Sequence, residues 1–332
     1  MKLMKAGILL TLVLATLPAQ ASTFKIATLF PDGSSWMQKM RIGANEINKK
    51  TQGRVKFKFY PGGVMGNDKV VIRKIKIGQL QGGALTGGSL SHIFSDNQAY
   101  SLILKFRSQK EIEYVRGFVD PLIMQGLEKG GLVSFGLVGS GFSYIMSTKR
   151  PVTNVSQLRK LKAWIPSNDE AALEAVKAFK VKPITLPLGD VLAALQTGLI
   201  NTVAVSPIGA IILQWHTQIK YVTELPVLYS FGTLVLNKKD FKKLTTTDQD
   251  IVRSVLGNVV KVVDKQNIKD NQSALAALRN QGITFVQPSA AELKEWQKYA
   301  NDSEKRMLSA NIISHKVIGL INKHLEEFRK GK

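Results

Sequence analysis

The chain has 332 residues, which at ~150 residues per domain leaves room for about two domains. It is 44% apolar and 21% charged, enough apolar material for proper cores and against wholesale disorder. Lys and Arg total 46 against 24 acidic residues, a formal charge of +22, and the absence of cysteine excludes disulfides, thiolate metal sites, cysteine nucleophiles and iron–sulfur clusters.

The first residues read as an export signal: Lys2 and Lys5, an apolar run over 6–17, and the small-x-small site Ala19-Gln20-Ala21. Residues 1–21 are therefore expected to be removed, and the mature chain to begin near Ser22 and reside in the periplasm of a Gram-negative cell. No cysteine stands at the junction to carry a lipid. Later in the chain the richest apolar stretch, 203–213, is interrupted by Pro207, so no membrane span is expected there. Loss of Lys2 and Lys5 lowers the charge from +22 to +20, spread over pairs such as Lys49-Lys50, Arg73-Lys74 and Lys242-Lys243. No zinc-finger, RNP or basic-zipper pattern organises that charge for nucleic acid. It reads as a solvated basic surface or as an attraction to anionic membranes or an acidic partner.

In chain order, 24–29 alternates as a strand, Pro31-Asp32-Gly33 turns, and Ser34-Ser35 can cap a helix whose apolar stripe is Trp36, Met40, Gly43 and Ile47. A strand over 55–60 ends at Pro61-Gly62-Gly63, a helix follows over 70–77, and 82–91 is a glycine-rich strand and loop. That alternation predicts an α/β sheet covered by helices. A second α/β stretch begins with strands at 132–138 and 142–147, with Gly136, Gly139 and Gly141 read as turns. Another strand spans 161–165, closed by Pro166, and Ser167 or Asn168 is placed to cap the next helix. Strands at 184–186, 199–205 and 232–236 enclose a helix with Leu188, Val191, Leu192 and Leu195 on one face. From 247 to 280 apolar residues hold helical phase for some thirty residues, on the order of 45 Å, longer than a small domain. Such a rod is expected to run across two domains before a strand at 283–286 and further helices over 291–328.

Catalytic constellations are missing. The four histidines, His92, His216, His315 and His324, form no H-E-x-x-H pattern, and neither G-x-S-x-G nor a P-loop is present. His315 and His324 lie nine residues apart, which does not set two imidazoles side by side on a helix. No enzyme, metal or cofactor is expected.

The run 154–198 is the most distinctive. It contains Leu158-Arg159-Lys160-Leu161-Lys162-Ala163-Trp164-Ile165-Pro166-Ser167, then Pro183-Ile184-Thr185-Leu186-Pro187 and Ala194-Leu195-Gln196-Thr197-Gly198. With Thr51-Gln52-Gly53-Arg54-Val55, Tyr60-Pro61-Gly62-Gly63 and the segment 220–230, it resembles the solute-binding subunits of TRAP transporters, the DctP-type family. The resemblance implies an α/β, two-lobed periplasmic binding protein fold with a long helix spanning both lobes, a small-molecule ligand between them, and membrane permease subunits as partners. On that pattern lobe I takes 22–146 plus about 235–274, and lobe II takes 147–234 plus about 275–332.

The departures from the family pattern concern charge. Where relatives usually carry a ligand-gripping Arg, this chain has Trp164; where the family's G-x-R segment sets a second basic residue, it has Ser143 in Gly141-Phe142-Ser143; and Asn67 replaces a Glu. The polar segment after Gln-Thr-Gly reads Asn201-Thr202-Val203-Ala204-Val205-Ser206-Pro207. A bidentate Arg contributes roughly 1.5–3 kcal/mol per charge-assisted pair, whereas an indole offers an apolar face and one N–H. The expected ligand is therefore neutral, aromatic or hydrophobic, held by Trp164, Phe142, Ser143, Tyr144, Asn67, Thr86, Ser89, Val203, Val205 and Phe231. A second reading is a periplasmic lipid or hydrophobic-ligand carrier on the same fold without a permease, its charge serving contact with an anionic membrane surface.

Overall fold

The computed structural model describes residues 21–167 and 169–331; the expected export signal, up to residue 20, and Asn168 lie outside the described residues. Strand β1 (Ser22–Thr28) leads into helix α1 (Ser35–Lys50), capped by Ser34, whose hydroxyl accepts from the Met37 amide. Its buried stripe includes Trp36, Met40, Gly43 and Ile47, the positions the sequence spacing selects. Gly43 is required there because a Cβ would meet Val259 at 2.7 Å. Strand β2 (Val55–Tyr60), helix α2 (Asp68–Lys76) and strand β3 (Gly82–Thr86) complete a parallel β2–β1–β3 unit. The sequence reading passes over helix α3 (Gln109–Lys129), which carries Pro121 in its interior.

Two long strands join the halves of the molecule. Strand β4 (Leu132–Ser147) and strand β8 (Tyr221–Asn237) pair antiparallel along most of their length. Between them in sequence come α4 (Val155–Arg159), β5 (Trp164–Pro166), α5 (Glu170–Ala178), β6 (Ile184–Leu186), α6 (Val191–Gln196), β7 (Thr202–Val205) and α7 (Pro207–Ile212). The main sheet runs β2–β1–β3–β8–β4–β7, with β9 (Thr284–Val286) added beside β8, while β5 and β6 form a separate pair. The short helix α8 (Lys238–Phe241) precedes α9 (Thr246–Asn280), and α10 (Ala290–Ser309) and α11 (His315–Arg329) end the chain.

The expected break between 138 and 142 is not a turn. Gly136, Gly139 and Gly141 lie inside β4, where the register against β8 shifts between Ser134 and Leu137 and again between Gly139 and Gly141. Gly136 and Gly141 have φ of +130° and +97°, and a Cβ on Gly139 would sit 1.8 Å from the Tyr229 hydroxyl. Glycine here bends a continuous strand and lets other groups approach its backbone. The helix cap before α5 also differs: Asp169 accepts from the Ala172 amide at 3.0 Å.

Helix α9 has 35 residues, ~52 Å at 1.5 Å each, and bridges the two halves. Its early residues Val252, Val255, Leu256, Val260 and Val263 enter a core with β1, α1 and β3, whereas Leu278 enters a core with Trp164, Val203 and Trp215. Its middle is polar because it faces the bent part of β4. There Asp264 accepts from the Gly139 amide, and Asn267 and Asn271 donate to the carbonyls of Gly139 and Ser140. Helix α11 packs on α3, with Ile318 and Ile321 in one core with Val115 and Val119.

Candidate functional site

A cavity of about 980 Å³ opens where α2 and β3 face β5, α5, β7 and α7, floored by the middle of β4 and β8. It reaches Asn67, Thr86, Ser89, Ser143, Trp164, Val203, Val205 and Phe231, bringing together residues far apart in sequence. Phe142 and Tyr144, expected at the ligand, lie outside the lining. Successive strand side chains point to opposite faces, so Ser143 and Ile145 face the cavity, while Phe142 packs edge-on against Tyr229 and Tyr144 joins the core around Trp215.

On the α2 wall the polar groups are already paired with one another. Asn67 caps α2 by accepting from the Val70 amide at 3.1 Å. The next residue, Asp68, accepts from the Thr86 amide at 3.0 Å and the Thr86 hydroxyl at 2.8 Å, and Ser89 donates to the Thr86 carbonyl at 2.8 Å. Burial raises the Asp68 carboxyl above the ordinary carboxylate range, against the lowering effect of the Thr86 and Ser89 donors. On the floor the Ser143 and Ser230 hydroxyls pair at 3.0 Å. The Phe231 ring lies against Gly87, where a Cβ would stand 2.5 Å from the ring.

The opposite wall is apolar. Trp164 is 6% exposed, and its ring meets Trp215 edge-on at 5.2 Å. Its indole N–H donates to the Leu186 carbonyl at 3.0 Å, so that donor is spent on the backbone and Trp164 presents carbon to the cavity. The lining continues inward past Trp164 to Leu158, Ala175, Val176, Phe179, Val181 and Trp296. Asp169, at the start of α5, crosses towards the other wall, where Gln98 donates to it at 3.3 Å. Burial raises its carboxyl too, against the Ala172 and Gln98 donors that lower it.

Sequence reasoning missed Asp68, Asp169 and Ser230. The one local signal was the acidic residue after the Asn67 cap, which suits the positive end of α2. It read the basic residues of α2 as part of a solvated basic surface or of an attraction to anionic membranes or an acidic partner; Lys69, Arg73 and Lys76 border the cavity at its solvent edge. Their spacing lays them along one stripe of the helix. His92 also borders it, His216 shares a hydrogen bond with the Ala210 carbonyl, and His324 stacks on Phe118 far from His315's helix end. Among the described residues no group of three acidic, histidine or cysteine side chains is arranged to hold a metal ion, and no helix is long and apolar enough to cross a membrane.

Comparison with known proteins places this architecture. The sialic acid-binding periplasmic protein SiaP of Vibrio cholerae is 22% identical over 299 residues, covering 86% of this chain and 91% of SiaP. The ectoine/5-hydroxyectoine-binding periplasmic protein UehA of Ruegeria pomeroyi is 26% identical over 250 residues, 71% of this chain and 70% of UehA. Among solved structures, the sugar acid binding protein DctPAm of Advenella mimigardefordensis, in complex with galactonate, superposes with a TM-score of 0.85 at 15% identity, covering 93% of this chain and 99% of that one. A TRAP periplasmic solute binding protein from Sulfitobacter with bound β-D-galacturonate gives 0.82 at 18% identity, covering 92% and 99%. These likenesses show a shared two-lobed α/β fold. The family model described as bacterial extracellular solute-binding protein, family 7, matches residues 26–311, and the chain belongs to this DctP family.

Proposed function

We propose that the protein is the periplasmic receptor of a TRAP-type transporter, delivered across the inner membrane by its N-terminal leader, and that it binds a neutral, aromatic or hydrophobic solute and passes it to membrane permease subunits. The lobes are taken as 22–146 with about 235–274, and 147–234 with about 275–332, α11 reaching back to lie on α3. The observation that carries the ligand class is the wall formed by Trp164: carbon faces the cavity where the family pattern sets a guanidinium, and the indole N–H is already bonded to Leu186. The acids Asp68 and Asp169 line the same space, so a carboxylate inside would meet carboxylate.

SiaP is named for sialic acid, and solved relatives hold galacturonate, galactonate or succinate. Loss of one bidentate Arg contact removes roughly 1.5–3 kcal/mol, about one to two decades of affinity. Isothermal titration of the purified protein with succinate, galacturonate and sialic acid is expected to show no binding at micromolar strength. Native mass spectrometry of gently purified protein is expected to retain an apolar small molecule. Micromolar affinity for any of the three acids overturns the ligand class and leaves the receptor fold intact.

The alternative, a lipid or hydrophobic-ligand carrier that works without a permease, draws on the strong basic charge. Flotation with vesicles containing anionic phosphatidylglycerol separates the two. A receptor that only feeds a permease stays in solution at physiological salt, and a membrane carrier floats with the vesicles in a salt-dependent way.

A further inference from the structure

Resting on the apolar-ligand reading above, we infer that the ligand is a single-chain amphiphile: its hydrocarbon body lies against Trp164 and the deep end of the cavity, and its acidic headgroup stays at the solvent edge beside Arg73 and Lys76. The inference comes from how the lining changes with depth. At the solvent edge the cavity is bordered by the exposed cations Arg73 and Lys76 of α2. The half-buried Asp68, Ser89 and Ser230 and the buried Ser143 follow, internally bonded, with the exposed Thr86 holding Asp68 and Ser89. Beyond Trp164 the wall is hydrocarbon, with Leu158, Val176, Phe179 and Val181.

A volume of about 980 Å³ stands at the upper end of the range for small-molecule sites, larger than a compact aromatic ring needs. A sugar acid suits it poorly, because its hydroxyls would find no unpaired partners in the deep part. An alkyl chain needs none. The two half-buried carboxylates fix the direction: an anionic head is repelled by Asp68 and Asp169 and attracted by the more exposed Arg73 and Lys76, so the chain enters tail first.

The test uses the whole mature protein with dodecanoate, dodecan-1-ol, butanoate and indole below their aggregation limits, read by titration calorimetry at low salt. Dodecanoate and dodecan-1-ol are both expected to bind, dodecanoate at least fivefold tighter, and butanoate not at all. In the double variant Arg73→Gln, Lys76→Gln the ratio between the two long-chain probes falls to about one, with dodecan-1-ol unchanged. If indole binds and neither long-chain probe does, the amphiphile is wrong and the apolar reading stands; if butanoate binds as well as dodecanoate, both fall. A wild-type ratio of one, or a ratio that survives the double variant, overturns the headgroup assignment. All four tryptophans, Trp36, Trp164, Trp215 and Trp296, line the cavity, so orientation is read by tryptophan quenching as the part of the signal that Trp164→Phe removes. Bromine at carbon 12 of dodecanoate is expected to quench more strongly than bromine at carbon 2, and the equal or opposite result overturns tail-first entry.

Discussion

Arg116 and Trp164 stand at comparable depth and in opposite company. Arg116, on α3, is bound to Asp120 at 2.9 Å, to both oxygens of Asp264 at 2.9 Å and to the Leu137 carbonyl at 2.7 Å. Burial pulls its guanidinium towards the neutral form, but Asp120, Tyr229 and Asp264 outweigh that and hold its pKa above the ordinary value. Trp164 has one polar bond, to a backbone carbonyl, and otherwise packs on carbon. The molecule thus buries a cation where carboxylates of its own surround it, at the bend of β4 under α9, and sets an aromatic ring at the cavity. The buried cation thus ties α3 and α9 to the bend of β4, while at Trp164 the cavity wall is carbon and the cavity's charges, Asp68 and Asp169 among them, stand elsewhere in its lining.

The sharpest way to break this comparison is to remove the cation. Arg116→Leu leaves Asp120 and Asp264 facing each other without compensation, and stability is expected to fall by about 3–5 kcal/mol in urea denaturation. A loss under about 1 kcal/mol would mean that the network does not hold α3 and α9 to the bend of β4. Next in size is Trp164→Phe, which keeps an aromatic ring against Trp215 and removes the donor to Leu186. That carbonyl still accepts from the Ser167 amide at 3.1 Å, so the loss of one of its two donors is expected to destabilise by about 1 kcal/mol while apolar ligand affinity changes little. If affinity falls far more than stability, the indole N–H has a role at the ligand that its bond to Leu186 does not suggest.

The architecture was legible where local physics sufficed. Alternation gave β1 and β2, the Trp36–Ile47 stripe gave α1, and apolar phase over thirty residues gave α9 and with it the two-lobed form. Helix α3 went unread because its interior Pro121 breaks the expected pattern. The bend of β4 was read as turns because glycine serves both, and only the approach of Tyr229 and Asn271 tells them apart. At the site, Trp164, Ser143, Thr86 and Phe231 were reached through resemblance and strand position. Phe142 and Tyr144 were taken along although strand alternation sends them to the other face. Asp68 meets Thr86, and Asp169 meets Gln98, only after the chain has folded, so no spacing in the sequence announces those pairs.

The smallest expected effects concern protons. Asp68 and Asp169 have carboxyls raised by burial, so the folded chain binds more protons than the unfolded chain between the ordinary value of 3.8 and their raised values. Stability then falls as pH rises through that window, and at neutral pH the cost of both charged forms is fully present. Glu292 runs the other way: donors from Thr153, Ser289 and Asn154 lower it from 4.5 to about 2, so its contribution is present above 4.5 and lost as pH falls towards 2. Asp169→Asn retains an oxygen to cap α5 and removes a buried charge, so it is expected to leave stability at pH 7 unchanged or higher by under about 1 kcal/mol. Combined with Asp68→Asn it should flatten the slope above pH 4, while Glu292→Gln should flatten it only below. If the Asn pair destabilises at neutral pH instead, the two carboxylates are wanted in charged form, and a cationic group on the ligand becomes the better explanation for their place in the cavity.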